Sequence, residues 1–213
     1  FREREIGYLI LENCDYLLEH QFLFETLNTF ATAIEALYGK LILRKKTKQL
    51  SQLYIHDSLT GLYNRMAYEK LALPLFQNCM QKNKTVGIMF TDADHLKYIN
   101  DNFGHDMGNL AISSIASVLR QYSPPESVSI RYGGDEFVSV IPDCSEQAMK
   151  ELIETVQKQL HILASSSSIT IPIEASIGYV IADDPAISLN DYINLADEKM
   201  YSTKKARKAE RKD

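Results

Sequence analysis

The sequence predicts an α+β fold: a mixed, mainly antiparallel sheet flanked by helices and preceded by a long N-terminal helix. Short apolar runs alternate with longer segments of helical periodicity over residues 66–205. Two of these runs, at residues 128–131 and 137–141, flank a Gly-Gly pair. Such a pair is typical of a hairpin, because a two-residue turn of this kind needs positive φ at its tip. Hairpins mixed with crossover helices favour one sheet with helices on its faces.

The individual elements follow from local periodicity and from turn residues. Helices are predicted at residues 66–81, 95–101, 107–121, 145–163 and 188–205. Strands are predicted at residues 85–90, 128–131, 137–141 and 169–181, the last interpreted as one long strand or two short ones around Pro172. We therefore expect one domain over residues 55–213.

Residues 1–54 have a different pattern and are expected to form a separate part of the chain. A short apolar run at residues 6–11 favours a buried strand. From about residue 19 to residue 53 the pattern is helical, and apolar residues between Leu27 and Leu41 recur at steps of three and four positions. This stripe either packs on the helix's own domain or pairs with the same helix of a second copy, and we favour the second arrangement.

The composition is that of an ordinary globular protein, with 45% hydrophobic and 24% charged residues. The net charge of −5 argues against a broad nucleic-acid-binding surface. The three cysteines have neither metal-ligand nor disulfide spacing, and no apolar run is long enough for a membrane span. We therefore expect a cytoplasmic protein with no nucleic acid partner and no membrane contact within this chain. Because it begins at Phe1, we also expect it to be part of something longer.

Acidic residues cluster at two places in the sequence, each next to a predicted strand. Asp92 and Asp94 follow the apolar run that ends at Phe90, and Asp135 and Glu136 follow the Gly-Gly pair. Taken alone, the second cluster is also what a tight turn with two solvated acids would show. Acids at the ends of two strands can nevertheless converge on Mg²⁺, which takes one or two carboxylates plus phosphate oxygens and water. Glycines without side chains would let a nucleotide approach the backbone closely.

Five segments, in order, resemble the GGDEF domain of diguanylate cyclases, and together they span about residues 55–208. The central segment is RYGGDEF at residues 131–137. The others are DSLTGLYNR at residues 57–65, DADHLKYINDNFGHDMGNL at residues 92–110, SIG at residues 176–178, and a segment from Ala196 through Tyr201 and Lys204. This resemblance implies a nucleotidyl-cyclase-like fold and an enzyme that condenses two GTP molecules into cyclic di-GMP and pyrophosphate.

The resemblance also implies a role for each matching residue. Mg²⁺, with Mn²⁺ as the alternative, would be bound by the carboxylates of Asp92 and Asp135 and by the main-chain carbonyl of Ala93. Glu136 would be a further ligand or would help to deprotonate the attacking 3′-hydroxyl. The other implied contacts are Gly133 and Gly134 beside the phosphates and ribose, Lys97 facing developing phosphate charge, Lys204 and Lys208 on the β- and γ-phosphates, and Asn100 on the guanine.

A homodimer is implied as well, because one subunit of this kind holds one GTP and each 3′-hydroxyl must attack the α-phosphate held by the other subunit. That requirement is why we favour a dimerising role for the N-terminal helix. The beginning of the chain also resembles the last strand and long C-terminal helix of a GAF-type sensor domain. Residues 1–54 would then be a sensor-domain remnant and a signalling helix.

Two positions depart from the family pattern. Asn109 stands where the family has an Asp that accepts hydrogen bonds from guanine. An amide offers one acceptor and one donor group, so it satisfies one of the two guanine donors and would pair well with adenine. A relaxed-specificity cyclase that accepts ATP and makes cyclic GMP-AMP is therefore an alternative, as is guanine selectivity retained through Asn100 and a water. The product-inhibition motif R-x-x-D is absent, because Pro-Pro-Glu-Ser occupies its positions at residues 124–127.

Two non-enzymatic alternatives stay open. A degenerate module of this family would bind nucleotide and control a partner without catalysis. The N-terminal helix alone would also support a structural dimerisation module. The presence of Asp92, Asp135, Glu136 and Lys204 favours the enzyme.

Overall fold

The computed structural model describes residues 20–53, 55–166 and 171–210. The chain divides into two compact units, residues 1–51 and residues 52–213, and each is described by itself. The strand predicted at residues 6–11 lies outside the described residues. The resemblance of this part of the chain to a GAF-type sensor therefore stays a prediction.

The described residues of the first unit lie in one long helix, α1 (His20–Leu53), which ends two residues beyond the unit and which the periodicity predicts. Its predicted stripe is a row of exposed apolar side chains: Leu27, Phe30, Ile34, Leu37 and Leu41. Phe30 is 62% exposed and Leu37 is 63% exposed. Contiguous apolar exposure of this kind is typical of a surface that packs against another protein segment.

The second unit is built on one five-stranded sheet in the order β1, β3, β4, β2, β5. Its strands are β1 (Tyr63–Asn64), β2 (Val86–Ala93), β3 (Val128–Arg131), β4 (Glu136–Pro142) and β5 (Ala175–Ala182). The central strand β2 pairs antiparallel with both β4 and β5, and β3 pairs antiparallel with β4. The pairing of β1 with β3 is parallel. The predicted mixed, mainly antiparallel sheet is confirmed.

Helices cover both faces of this sheet. They are α2 (Leu73–Gln81), α3 (Leu96–Phe103), α4 (His105–Tyr122), α5 (Glu146–Ser166) and α6 (Leu189–Glu210). One face, which includes Met89 and Phe137, shares a core with α4 and α5. The other face, which includes Ile88 and Val138, shares a core with α2 and α6. Because side chains alternate along a strand, Asp92 continues the α6 face of β2 beyond its apolar part.

Two predictions of local strand structure were wrong. Residues 171–174 are not in a strand, and β5 begins only at Ala175. Pro172 accounts for this, since proline has no N–H to donate to a neighbouring strand. The connection between β3 and β4 is not a two-residue turn but a loop of residues 132–135, in which neither Gly133 nor Gly134 has positive φ. The glycine pair must therefore serve a purpose other than left-handed backbone.

The predicted helix over residues 66–81 is interrupted at its start. A π-helix spans Tyr68–Ala72 and runs directly into α2, with the Leu73 N–H donating to the Tyr68 carbonyl. Pro74 accounts for the wider turn, because it has no N–H for the carbonyl of Lys70 that an α-helix would use.

Candidate active site

Acidic side chains meet at the end of the central strand. In the strand register, Asp92 of β2 lies directly opposite Glu136 of β4 on one side and Ser176 of β5 on the other. Residues opposite each other in antiparallel strands project to the same face, with Cβ atoms about 5 Å apart. The prediction that acids from two separate strands come together is thereby realised by backbone pairing.

A lysine from α6 completes this cluster. Lys204 Nζ donates a hydrogen bond to Asp92 Oδ1 and lies 3.5 Å from Asp94 Oδ1. All three side chains are largely buried. The motif resemblance implies that Lys204 contacts substrate phosphates, and the structure places its ammonium group at the same strand end as the acids.

Glycine at position 178 allows α6 to come this close to the sheet. A Cβ atom added to Gly178 would collide with the backbone of α6 at Ala196 and Met200, including Met200 Cα at 2.7 Å. The glycine of the SIG segment at residues 176–178 therefore has a packing role. It sets the distance between β5 and the helix that carries Lys204.

The electrostatic balance of the cluster is dominated by burial and by repulsion between carboxylates. Burial is the largest influence on Asp92 and raises its pKa, which the hydrogen bond from Lys204 offsets only in part. The pKa of Glu136 is raised by burial first and then by the negative charges of Asp135 and Asp92. Burial is the largest influence on Lys204 and would lower its pKa, but the hydrogen bond to Asp92 and the negative charges of Asp92 and Asp94 together outweigh it, and the pKa is raised. The four acids Asp92, Asp94, Asp135 and Glu136 outnumber Lys204, so the ionised cluster carries excess negative charge.

This donor set fits a divalent cation that also needs oxygen ligands from a substrate. No group of three or more histidine, cysteine or acidic side chains in the described part of the chain is placed to hold a metal by itself. One or two carboxylates are the usual protein contribution to Mg²⁺, with phosphates and water supplying the rest. The mutual repulsion of Asp92, Asp135 and Glu136 would be relieved by such an ion.

The loop before β4, residues 132–135, is held by backbone hydrogen bonds, and its Gly133 lies against the carboxylate of Glu136. The N–H groups of Tyr132 and Gly133 donate to the Glu136 carbonyl at 2.8 and 3.2 Å, and the Ala93 N–H donates to the Asp135 carbonyl at 3.0 Å. A Cβ atom at Gly133 would collide with the carboxylate of Glu136, whereas one at Gly134 would meet nothing within 4 Å. Gly133 therefore makes room for the Glu136 carboxylate, and Gly134 borders open space.

Sequence reasoning missed a link that holds this loop in place. Arg131 Nη1 lies 3.1 Å from each carboxylate oxygen of Asp57, and Arg131 Nη2 and Nε donate to the Gly134 carbonyl at 2.7 and 3.2 Å. Burial opposes ionisation of Asp57, but hydrogen bonds from Thr60 and Arg131 outweigh it and its pKa is lowered. Arg131 and Asp57 each belong to one of the matched motifs. The motifs mark both residues, but they do not indicate that the two side chains contact each other.

The remaining predicted residues lie on the helices. Lys97 and Asn109 are exposed, on α3 and α4 respectively. Asn100 is partly buried, and its Oδ1 lies where a side chain at Gly108 would be, next to Asn109 in the sequence. The structure thus brings the two asparagines to one junction between α3 and α4. Lys208 belongs to α6, but its side chain lies outside the described residues.

Comparison with known families identifies the domain. The family model described as diguanylate cyclase, GGDEF domain, matches residues 54–210. This match covers most of the chain and includes every site residue described above. The chain belongs to the GGDEF-domain family.

Curated relatives agree with this assignment. Diguanylate cyclase DgcN of Escherichia coli K12 is 33% identical over 172 residues, which are 79% of this chain and 41% of that protein. Probable diguanylate cyclase DgcC of the same organism is 27% identical over 164 residues, which are 77% of this chain and 44% of that protein. This chain therefore spans less than half the length of these relatives.

Solved structures share the fold. The coiled coil and GGDEF domain of DgcB from Caulobacter crescentus, in complex with c-di-GMP, has a TM-score of 0.68 and 24% identity, covering 84% of this chain and 95% of that one. The GGDEF domain of TpbB, or YfiN, from Pseudomonas aeruginosa has a TM-score of 0.60 and 28% identity, covering 71% of this chain and 89% of that one. In the described part of the present chain, no helix combines the length and apolar character that a membrane crossing requires.

Proposed function

We propose that this domain is a diguanylate cyclase that condenses two GTP molecules into cyclic di-GMP and releases two pyrophosphates. The observation that carries this proposal is the strand register that places Asp92 opposite Glu136, with Lys204 bonded to Asp92. Carboxylates and an ammonium group at one strand end suit a nucleoside triphosphate with its metal. The membership of the chain in the GGDEF-domain family gives the same expectation.

The metal in this proposal is Mg²⁺, with Mn²⁺ as the alternative. Asp92, Asp135 and the Ala93 carbonyl would hold it, and Glu136 is available as a further ligand. When bound, the metal would neutralise charge at the α-phosphate and on the pyrophosphate leaving group. The surplus negative charge of the cluster is the structural feature that supports this assignment.

The chain's own residues would then bind and orient the nucleotide. Gly134 leaves open space for ribose and phosphate, and Lys204, with Lys208, would bind the β- and γ-phosphates while Lys97 faces the developing charge. Glu136 has a raised pKa, which suits a group that accepts the proton of the attacking 3′-hydroxyl. Asn100 would contact the guanine from the junction of α3 and α4.

The reaction requires two such sites facing each other, so the proposed active form is a homodimer. The exposed apolar stripe of α1 supports this, because its residues recur at the spacing used when two helices pair. Since GTP is an intracellular nucleotide, we also propose the cytoplasm as the place of action.

Product analysis tests the proposal directly. The purified chain is incubated with GTP and Mg²⁺, and the products are identified by mass spectrometry while pyrophosphate release is measured. Cyclic di-GMP is expected, and Asp135→Asn should abolish its formation without loss of folding. Mg²⁺-dependent GTP binding without pyrophosphate release would instead assign the domain to nucleotide sensing.

A further inference from the structure

Asp94, the second acid of the cluster after β2, has no role in the proposed reaction so far. It is only 9% exposed, and both of its carboxylate oxygens lie 2.9 Å from the Ser176 hydroxyl. Its own N–H donates to the Glu174 carbonyl at 2.9 Å. The carboxylate is therefore held by its backbone and by a side chain from β5.

The partner of this fixed carboxylate is the lysine of α6. Lys204 Nζ lies 3.5 Å from Asp94 Oδ1 while it donates its hydrogen bond to Asp92. An ammonium group has three donors on a flexible stem, and one contact leaves it free to rotate. A second, immobile carboxylate restricts it from another direction.

The carboxylates of Asp92 and Asp94 therefore have different neighbours. Asp92 lies beside Glu136 across the strand pair, in the position proposed for the metal. Asp94 faces Ser176 and Lys204 instead. The Ser176 hydroxyl has one hydrogen, and it lies at equal distance from both Asp94 oxygens. Ser176 therefore donates its hydrogen bond to Asp94.

We propose that Asp94 and Ser176 are positioning residues that hold the Lys204 ammonium group in place for the β- and γ-phosphates of GTP. This inference rests on the proposed function, which gives Lys204 its phosphate role. Ordering the lysine before the nucleotide arrives reduces the conformational freedom lost on binding. The arrangement would matter for triphosphate affinity and much less for ligands that lack the β- and γ-phosphates.

Ligand binding to the full chain tests this inference. Calorimetric titrations use two probes, α,β-methylene-GTP with Mg²⁺ and GMP with Mg²⁺. For Ser176→Ala we expect about tenfold weaker binding of the triphosphate analogue, with GMP affinity changed by less than about twofold. In turnover assays the same variant should raise KM for GTP while kcat stays within about threefold.

A matched control separates this role from general loss of packing. Ser129 is also a buried serine of the same sheet, and its hydroxyl lies 2.8 Å from that of Ser139. Ser129→Ala should leave both binding constants unchanged. If it weakens triphosphate binding as much as Ser176→Ala does, the positioning role is wrong.

A double-mutant cycle with Lys204→Gln gives the decisive comparison. If Ser176 acts through the lysine, Ser176→Ala should change analogue binding by less than about twofold in the Lys204→Gln background. Equal losses in both backgrounds, or equal losses for the analogue and GMP, would overturn the inference. Asp94→Asn, which keeps the shape of the side chain, should behave as Ser176→Ala does, and if it fails to fold the serine variant decides alone.

The outcomes distinguish this inference from the proposed function. If the wild-type chain binds the analogue but forms no cyclic di-GMP, the proposed catalysis is rejected. The double-mutant cycle would then still test the positioning role. Formation of cyclic di-GMP together with an additive cycle would reject only the positioning role. Failure of the wild-type chain to bind the analogue would reject both.

Discussion

The two ends of β2 carry the same kind of ion pair in different surroundings. At the site end, Lys204 pairs with Asp92 and Asp94, and no side chain of the three is more than 22% exposed. At the opposite end, just before β2 begins, Lys84 pairs with Asp143 at 2.6 Å, with side chains 47% and 65% exposed. An exposed pair is screened by water and contributes little, whereas a buried one depends on every partner.

The same residue types occur at both ends of β2, so residue type alone does not distinguish the candidate site from an ordinary surface ion pair. At the site end, burial and neighbouring carboxylates raise the pKa of Asp92 and of Glu136. At the far end, each charge has solvent as an alternative partner. Substitutions should therefore have large effects at the site end and small ones at the far end.

The largest effect is expected from Gly178→Ala, since a methyl group there would collide with the α6 backbone. Backbone cannot move aside as a side chain does, so we expect a loss of about 3 kcal/mol or more in unfolding free energy. Thermal unfolding should show a fall in Tm of roughly 10 °C.

The control for this substitution is Gly87→Ala at the far end of β2. Its methyl group would meet mainly the movable ends of Met149 and Cys144, so a smaller loss is expected. Equal falls in Tm for both variants would contradict the proposed tight contact between α6 and β5.

Next in size is Arg131→Ala, which removes the link between Asp57 and the Gly134 carbonyl. Leaving a largely buried carboxylate without its cationic partner, with Thr60 as its remaining donor, should cost about 2 kcal/mol in unfolding free energy. Displacement of the loop should lower kcat/KM for GTP about 100-fold.

Arg131→Lys is the companion variant. It keeps the positive charge but loses the planar fork that spans two acceptors, so activity should recover only in part. Unchanged activity in Arg131→Ala would show that the loop holds its position without this link.

A more selective effect is expected from Gly133→Ala. The position has no positive φ, so the backbone tolerates alanine, but the new methyl group would displace the Glu136 carboxylate. Turnover should fall about tenfold while Tm is nearly unchanged. Gly134→Ala, where the methyl group meets open space, is the control for folding and should leave Tm equally unchanged.

A change of preference rather than of rate is expected from Asn109→Asp on α4. Replacing the amide with an acceptor-only carboxylate should increase discrimination for GTP over ATP about tenfold, through hydrogen bonds to guanine. Products from an equimolar mixture of GTP and ATP, quantified by mass spectrometry, give the ratio directly. Identical product ratios for both proteins would remove position 109 from base recognition.

The smallest effect belongs to Lys84→Ala at the far end of β2. Both halves of its ion pair with Asp143 are exposed, so the pair is screened by solvent. We expect neither Tm nor turnover to change measurably. A loss of activity there would mean that the two ends of the strand are coupled.

The order of elements and the identity of the acids could be predicted from the sequence, because periodicity and motifs are local. The bonds from Ser176 to Asp94 and from Arg131 to Asp57 could not, since they join residues 82 and 74 positions apart. Such neighbours are set by strand register, which no local pattern specifies. The π-helix was missed for the opposite reason: Pro74 was visible, but helical periodicity continued across it.

The absent side chain at position 178 has a consequence for the lysine that α6 carries. Because α6 lies directly against the backbone of β5, this contact fixes the separation of helix and strand and thereby the position of Lys204 relative to the acids. Much of the ordering that a flexible lysine would otherwise undergo on contact with a ligand is completed when the chain folds. For the proposed triphosphate ligand, the place of the Lys204 ammonium group would thus be set by a backbone contact that only a hydrogen atom at position 178 permits.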